Sequence, residues 1–390
     1  MARFAIICEY NPLHAGHVYC MERARQAGAD ALLCIMSGNF TQRGEPAMAH
    51  KYIRAKAAIA CGADLVVELP FPHACAGAEY FASAGVCTAD ALGTEVLFFG
   101  SESGDIDRLQ AAAKVAVSPE FSIAYQDLIK TNLGTAAAYT KALEQVLGQP
   151  FSALSNDLLG LSYCKAILSG SFDITPMCTP RIGSGYNDQV LSDQFPSATA
   201  LRKLRQQSGL DSLEDHIPNA CFAALSEADK KGELLGNTTA YDTALLAILR
   251  TTPVTLITDS ALCSGGLGER IARAAQNATN LAQLYTLCAH KSLPDAHVRR
   301  AVLYAALGIT EKDLRTPPAY LNVLAANTTG REVLSDLRRT CPVPLVTKPA
   351  DAPECRQRVL SDRADALYTL AMQAPQSAGF FKRQSPFMAE

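Results

Sequence analysis

The stretch that most constrains this chain is Glu9-Tyr10-Asn11-Pro12-Leu13-His14-Ala15-Gly16-His17, which follows directly on the apolar run Phe4-Ala5-Ile6-Ile7-Cys8. An apolar run, then Asn-Pro, then a glycine and the helix-compatible residues Val18 to Ala27, predicts strand, tight turn and helix N-terminus. The first-turn amides of such a helix lack intrahelical partners and the helix dipole is positive there, so the junction favours an anion. His14 and His17 add two imidazole donors facing the same small volume, and Gly16 between them lets the backbone approach a ligand closely.

A chain of 390 residues is long enough for two or three domains with cores of their own. With 48% apolar and 19% charged residues it has ordinary globular composition, which argues against long disorder. The net charge of -3 gives no overall attraction to nucleic acid, so any RNA contact must come from local basic patches. The 13 cysteines are odd in number, scattered and without a Cys-x-x-Cys pair, which predicts reduced thiols and no metal site. Glu9 interrupts the first apolar run too early for a signal peptide, and no uncharged stretch is long enough for a bilayer. The expected location is cytoplasmic, with no membrane partner.

Further along, Ala31 to Met36, Asp64 to Pro70, Thr94 to Glu102 and Asp173 to Thr179 read as strands, separated by helical stretches at Ala47–Cys61, Ala76–Ala91 and Leu158–Ser169. Continuous apolar runs of this kind predict parallel strands covered on both faces, and the alternation predicts a right-handed, doubly wound α/β sheet. Asp105 to Leu147 reads as two helices. After Arg205 the strand rhythm stops, and 206–310 is expected to be a mostly α-helical domain. Residues 311–390 are expected to form a small βαβ piece, from Tyr320–Ala325, Gly330–Arg339 and Val343–Thr347, followed by a loosely ordered tail after Gln373.

The first domain, 1–205, closes with Pro196-Ser197-Ala198-Thr199-Ala200-Leu201-Arg202. Ser197 or Thr199 can cap a helix while offering a hydroxyl to an anion, and Arg202, one turn in, can grip phosphate bidentately. His-x-Gly-His followed by Ser-x-Thr-x-x-Arg resembles the two signatures of the nucleotidylyl-transferase superfamily. That likeness implies a Rossmann-like, HUP-type domain in which His14, His17 and Arg202 are catalytic, steadying charge on an α-phosphate as pyrophosphate leaves.

The longer blocks Glu9 to His17, Met36-Ser37-Gly38-Asn39-Phe40, Gln42-Arg43-Gly44-Glu45-Pro46, Ala63 to Pro70, Phe99-Gly100-Ser101-Glu102, Ser155-Asn156 and Ser197-Ala198-Thr199 are similar to the bacterial tRNA(Met) cytidine acetate ligase family. The resemblance implies acetate and ATP giving acetyl-adenylate and pyrophosphate, then acetyl transfer to N4 of the wobble cytidine of elongator tRNA(Met). It implies an ATP site of Cys8, Glu9, Tyr10, Asn11, Pro12, Leu13, His14, Ala15, Gly16, His17, Val18, Tyr19, Cys20, Met21, Gly100, Asn156 and Arg181, to which Ser197 and Thr199 are added from the superfamily motif. Mg²⁺ is expected to accompany the ATP.

Asn39, Arg43 and Lys51 are candidates for an anion or acetate loop, and Lys51 with Arg54 could reach phosphate or RNA. Lys203, Arg205, Lys291, Arg299 and Arg300 are candidates for tRNA contact, with Arg331, Arg338 and Arg339 further along. The family pattern is not followed at His50-Lys51-Tyr52 or at His290 to Pro294. Two other readings stand beside this one: an adenylyltransferase for a small phosphorylated metabolite, of the pantetheine-phosphate or nicotinamide-mononucleotide type, and a non-catalytic nucleotide- or RNA-binding protein.

Overall fold

The computed structural model describes residues 1–131, 133–151, 154–181, 196–291 and 293–389. Its centre is a sheet of strands β1 (Arg3–Cys8), β2 (Ala31–Ser37), β3 (Leu65–Leu69), β4 (Val96–Ser101), β5 (Thr175–Pro180), β6 (Leu321–Ala326), β7 (Leu345–Val346) and β8 (Phe387–Met388). The order is β5-β4-β1-β2-β3-β6-β7, with β8 also on β6. β5, β4, β1, β2 and β3 run parallel, as the strand–helix rhythm implies, and β6 closes on β3 antiparallel. The chain moves outward from β1 in one direction through β2 and β3, then in the other through β4 and β5. The switch point therefore lies between β1 and β4, and in open α/β sheets ligands bind outside the strand carboxyl ends at that point.

Alternate side chains of each strand feed two cores. Phe4, Ile6, Leu32, Cys34, Met36 and Val66 face one, while Ala5, Ile7, Leu33, Ile35, Leu65 and Val67 face the other. The first core is continuous with the helical half: Leu213, Leu225, Leu245, Ile271, Leu284 and Tyr304 belong to the same cluster. Tyr304 also donates from its hydroxyl to the Cys75 carbonyl at 2.8 Å.

The structure differs from the sequence expectations in several places. Residues 105–147 hold three helices, Ile106–Ala116, Pro119–Ile129 and Thr135–Leu147, because Ser118 accepts the Phe121 amide as a cap and Pro119 fits the first helical position. The stretch Leu213 to Leu235, helical in its sequence pattern, is not one helix: it takes in the end of a 3-10 turn, Asp211–His216, and a helix Asn219–Lys230 that starts just after Pro218. The C-terminal segment does more than pack on the rest, since its strand β6 extends the main sheet, and a long helix Arg356–Ala371 follows. The tail after Gln373 is not loose: Phe381 is buried, and β8 pairs with β6 through Phe387 and Met388. Residues Ile182 to Tyr186, a Gly- and Ser-containing sequence that suits a loop after the strand, lie outside the described residues.

Candidate active site

The helix α1 (Ala15–Gln26) begins where β1 ends, and His14 is its N-cap. The His14 Nδ1 accepts from the Gly16 amide at 3.1 Å, and His17 Nδ1 accepts from the His14 amide at 3.2 Å. This is a capping box built of two imidazoles. With each Nδ1 lone pair committed, the proton of a neutral ring must sit on Nε2, so both rings are fixed as donors. The rings stack at 3.7 Å between centroids. Burial pushes the His14 imidazole down to about 3, with Arg181 acting in the same direction. Burial, then His14 and Arg181, also hold His17 well below its ordinary value. Both are neutral donors at pH 7. A Cβ at position 16 would sit 3.0 Å from His14 Cε1, so only glycine leaves that ring in place.

Tyr10 holds a φ of 48°, a left-handed conformation that costs a residue with a side chain about 1–3 kcal/mol. Its ring packs edge-on against His17 at 5.0 Å, and its hydroxyl lies 3.4 Å from the Cys34 sulfur. The strained turn is thus fixed by core contacts that also seat the His17 ring.

A pocket at the switch point brings together Cys8, Glu9, Tyr10, Asn11, His14, Gly16, His17, Tyr19, Cys20, Arg43, Gly100, Asn156, Arg181, Ser197, Thr199 and Arg202. Ser197 caps the helix Ala198–Ser208 by accepting the Ala200 amide at 3.1 Å. Arg202 reaches back across the pocket, Nη1 donating to the Asn11 carbonyl at 2.7 Å and Nη2 to Thr199 Oγ1 at 3.2 Å. Arg181 stands 3.5 Å from Asn156 Oδ1, and Asn156 in turn donates to Glu102 at 2.6 Å. Pro12, Leu13, Ala15, Val18 and Met21 do not line the pocket, and Leu13 and Met21 are buried in the core. The apolar floor of Phe81, Phe99, Leu159 and Tyr163 carried no functional signal in the sequence, because each sits in a pattern indistinguishable from ordinary core.

Three guanidiniums, of Arg43, Arg181 and Arg202, face Glu9 as the one carboxylate among the described lining residues. The electrostatics favour a polyanion. Among the described residues no group of three or more His, Cys, Asp or Glu could hold a metal ion. A divalent cation here would take most of its oxygens from phosphate, the usual manner of Mg²⁺.

The expectations for six basic or amide side chains are corrected. Lys51 does not face an anion loop: it is 2% exposed on helix α2 (Lys51–Ala60), with Nζ 2.9 Å from Glu68 and 2.8 Å from Asp365. Asn39 does not line the pocket either, because its Oδ1 accepts the Lys51 amide and its Nδ2 donates to Asp365. Arg54 is buried, and its guanidinium is spent on the carbonyls of Glu9, Ser37, Gly38 and Ala49. Arg299 and Arg300 are not free for RNA, since they clamp the loop at the pocket mouth. Arg300 Nη1 donates to the Gln42 carbonyl at 2.9 Å, and Arg299 pairs with Glu45 at 3.2 Å. Arg205 donates to the Leu235 carbonyl at 2.9 Å, whereas Lys203, Lys291, Arg338 and Arg339 lie exposed.

Buried neutral imidazoles locked as donors at the switch point of a parallel sheet suit displacement at a nucleotide phosphorus, where charge must be met without a covalent partner. The family model of the HIGH nucleotidyl transferases matches residues 1–382. The tRNA(Met) cytidine acetate ligase of Acetivibrio thermocellus is 32% identical over 371 residues, covering 90% of this chain and 89% of that protein. The ligase of Listeria monocytogenes is 33% identical over 379 residues, covering 95% of each. Crystal structures of Thermotoga maritima TmcAL superpose over 100% of both chains, the apo form with TM-score 0.92 at 27% identity and the form bound with alpha-thio ATP with TM-score 0.89 at 26% identity. The chain therefore belongs to the tRNA(Met) cytidine acetate ligases of the HIGH nucleotidyl transferase family.

Proposed function

We propose that this protein is an ATP-dependent acetate ligase that forms acetyl-adenylate with release of pyrophosphate. It then transfers the acetyl group to N4 of the wobble cytidine of elongator tRNA(Met), in the cytoplasm. The observation that carries the reading is the neutral imidazole pair, His14 and His17, in one pocket with Arg202. An acetate oxygen attacks the α-phosphorus and the bond to the β-phosphate oxygen breaks, with pyrophosphate taking the electron pair. Nε2–H donors and the Arg202 guanidinium suit the equatorial charge that builds there. Mg²⁺, held mainly by the phosphate oxygens, would supply further charge neutralisation.

To reach the adenylate the cytidine leaves its stack, at a cost of a few kcal/mol that is least for an unpaired base. The sheet half supports the chemistry, and the helical half, 206–310, is assigned the RNA backbone, with exposed Lys291 as a contact and exposed Lys203 joining it from the end of the first domain. The test is acetate-dependent ATP–pyrophosphate exchange without RNA, together with labelled acetate entering RNA only when elongator tRNA(Met) is supplied. Transfer of AMP to a small phosphate ester in place of these would replace the reading with a metabolite adenylyltransferase. ATP binding with no turnover under any carboxylate would leave a pure binder.

A further inference from the structure

We propose that Glu9 is the base that takes the N4 proton of the cytidine in the acetyl-transfer step, a role that rests on the ligase reading above. The exocyclic amine of cytidine is a poor nucleophile and must lose a proton as its bond to the acetyl carbon forms. The group that accepts it has to lie in the same pocket as the nucleotide.

Few lining groups can serve. The lone pairs of His14 Nδ1 and His17 Nδ1 are spent on backbone amides, so either ring would have to break the helix cap to accept a proton. The thiols of Cys8 and Cys20 and the phenol of Tyr10 are held protonated by burial. Glu9 remains. Its Oε1 accepts the Gln42 amide at 2.7 Å, while Oε2 takes no hydrogen bond among the described residues. One oxygen is therefore clamped and the other is available, which is the arrangement a positioned base requires. The clamp is itself held, because Arg300 grips the carbonyl of Gln42 from the helix Asp295–Leu307. Burial raises the Glu9 carboxyl above its ordinary value, against the Gln42 amide and the guanidiniums of Arg202, Arg54 and Arg43. That makes it a stronger base than a surface glutamate.

The step balances as follows. The N4 lone pair forms the bond to the acetyl carbonyl carbon, and the N4 proton passes to Glu9 Oε2. The carbonyl re-forms as the bond to the AMP oxygen breaks, AMP leaves with the electron pair, and Glu9 returns the proton to water.

The experiment uses the full chain, synthetic acetyl-adenylate and a transcript of elongator tRNA(Met), so transfer is read apart from adenylate formation. Glu9→Gln keeps an oxygen for the Gln42 amide and removes the base. Its single-turnover transfer rate should fall by about 100-fold or more, at least about tenfold further than acetate-dependent exchange falls in the same variant. The wild-type transfer rate should rise with pH as Glu9 ionises and then level, and this limb should be missing in the glutamine variant. Glu9→Asp, which retains a carboxylate, should recover at least about tenfold over Glu9→Gln at an unchanged thermal midpoint. Transfer by Glu9→Gln within threefold of wild type, or equal loss of exchange and transfer, overturns the assignment while leaving the ligase reading in place. A wild-type protein that transfers nothing from acetyl-adenylate removes both.

Discussion

The Lys51 ammonium stands 2.8 Å from the Asp365 carboxylate, joining residues 314 positions apart in the chain, and it also touches Glu68 at 2.9 Å. Burial works against the charge on Lys51, but Asp365 and then Glu68 outweigh it and hold the ammonium above its ordinary range. Asn39 bonds to both sides of the cluster, so the Ser37-Gly38-Asn39-Phe40 loop is tied to the long helix Arg356–Ala371.

Replacing Lys51 with Met leaves two buried carboxylates facing each other without a cation. Breaking a buried pair in this way costs roughly 3–5 kcal/mol. The urea midpoint of Lys51→Met should drop accordingly, and adding Asp365→Asn should recover part of the loss.

The imidazole cap makes the protein acid-sensitive. A folded-state value near 3 for His14, against 6.5 unfolded, means the unfolded chain binds the extra proton. Stability from this group is fully present above pH 6.5 and is lost as pH falls toward 3, at about 1.4 kcal/mol per pH unit once the unfolded histidine is charged. His17, His50 and His73 are lowered by burial as well and act with the same sign. Urea midpoints at pH 7, 5 and 4 should fall steadily for wild type and less steeply for His14→Asn, whose amide can still cap the helix.

Arg202 links the second motif to the first, through its bond to the Asn11 carbonyl. Arg202→Ala should lower kcat/KM for acetate-dependent exchange by about 10²–10³, the size expected for loss of one charge-stabilising group. Arg202→Lys should recover little, because an ammonium cannot hold Asn11 and a phosphate oxygen with one planar fork.

The loop at the pocket mouth gives a fourth expectation. Gly44 has a φ of 81°, and a Cβ there would lie 2.8 Å from the Arg300 backbone nitrogen and 3.0 Å from the Arg299 carbonyl carbon. Gly44→Ala should therefore lift the loop off its helix, costing about 1–3 kcal/mol in stability. Arg300→Met should slow exchange even in the absence of RNA, since it releases the Gln42 carbonyl. Lys291→Ala should instead weaken tRNA binding and reduce its salt slope by about one.

The parallel part of the fold and the chemistry of the pocket were legible because their signals are local. An apolar run, a turn and a capped helix occupy one short stretch around His14, and Ser197 with Arg202 occupies another. The lysine and arginines outside those motifs were misread for the opposite reason. Lys51 and Arg54 look like a wet basic helix face until Glu68, Asp365 and several carbonyls close around them, and Asp365 lies far along the chain on a helix with no distinguishing pattern. Arg299 and Arg300 carry the composition of an RNA patch, and only the packing of the Gln42–Glu45 loop against their helix reveals a structural clamp. The antiparallel β6 could not be assigned to the main sheet from its sequence, because strand neighbours separated by 254 residues leave no mark in local periodicity, as Asn322 and Glu68 illustrate.

That late strand has a consequence for synthesis. β3 is finished by residue 69, but the partner of its outer edge begins at residue 321. Throughout most of translation the nascent chain therefore exposes a bare, apolar strand edge, two strands away from β1 and its pocket, the kind of surface that recruits chaperones or other nascent chains. That edge is covered only after every described residue lining the nucleotide pocket has been made.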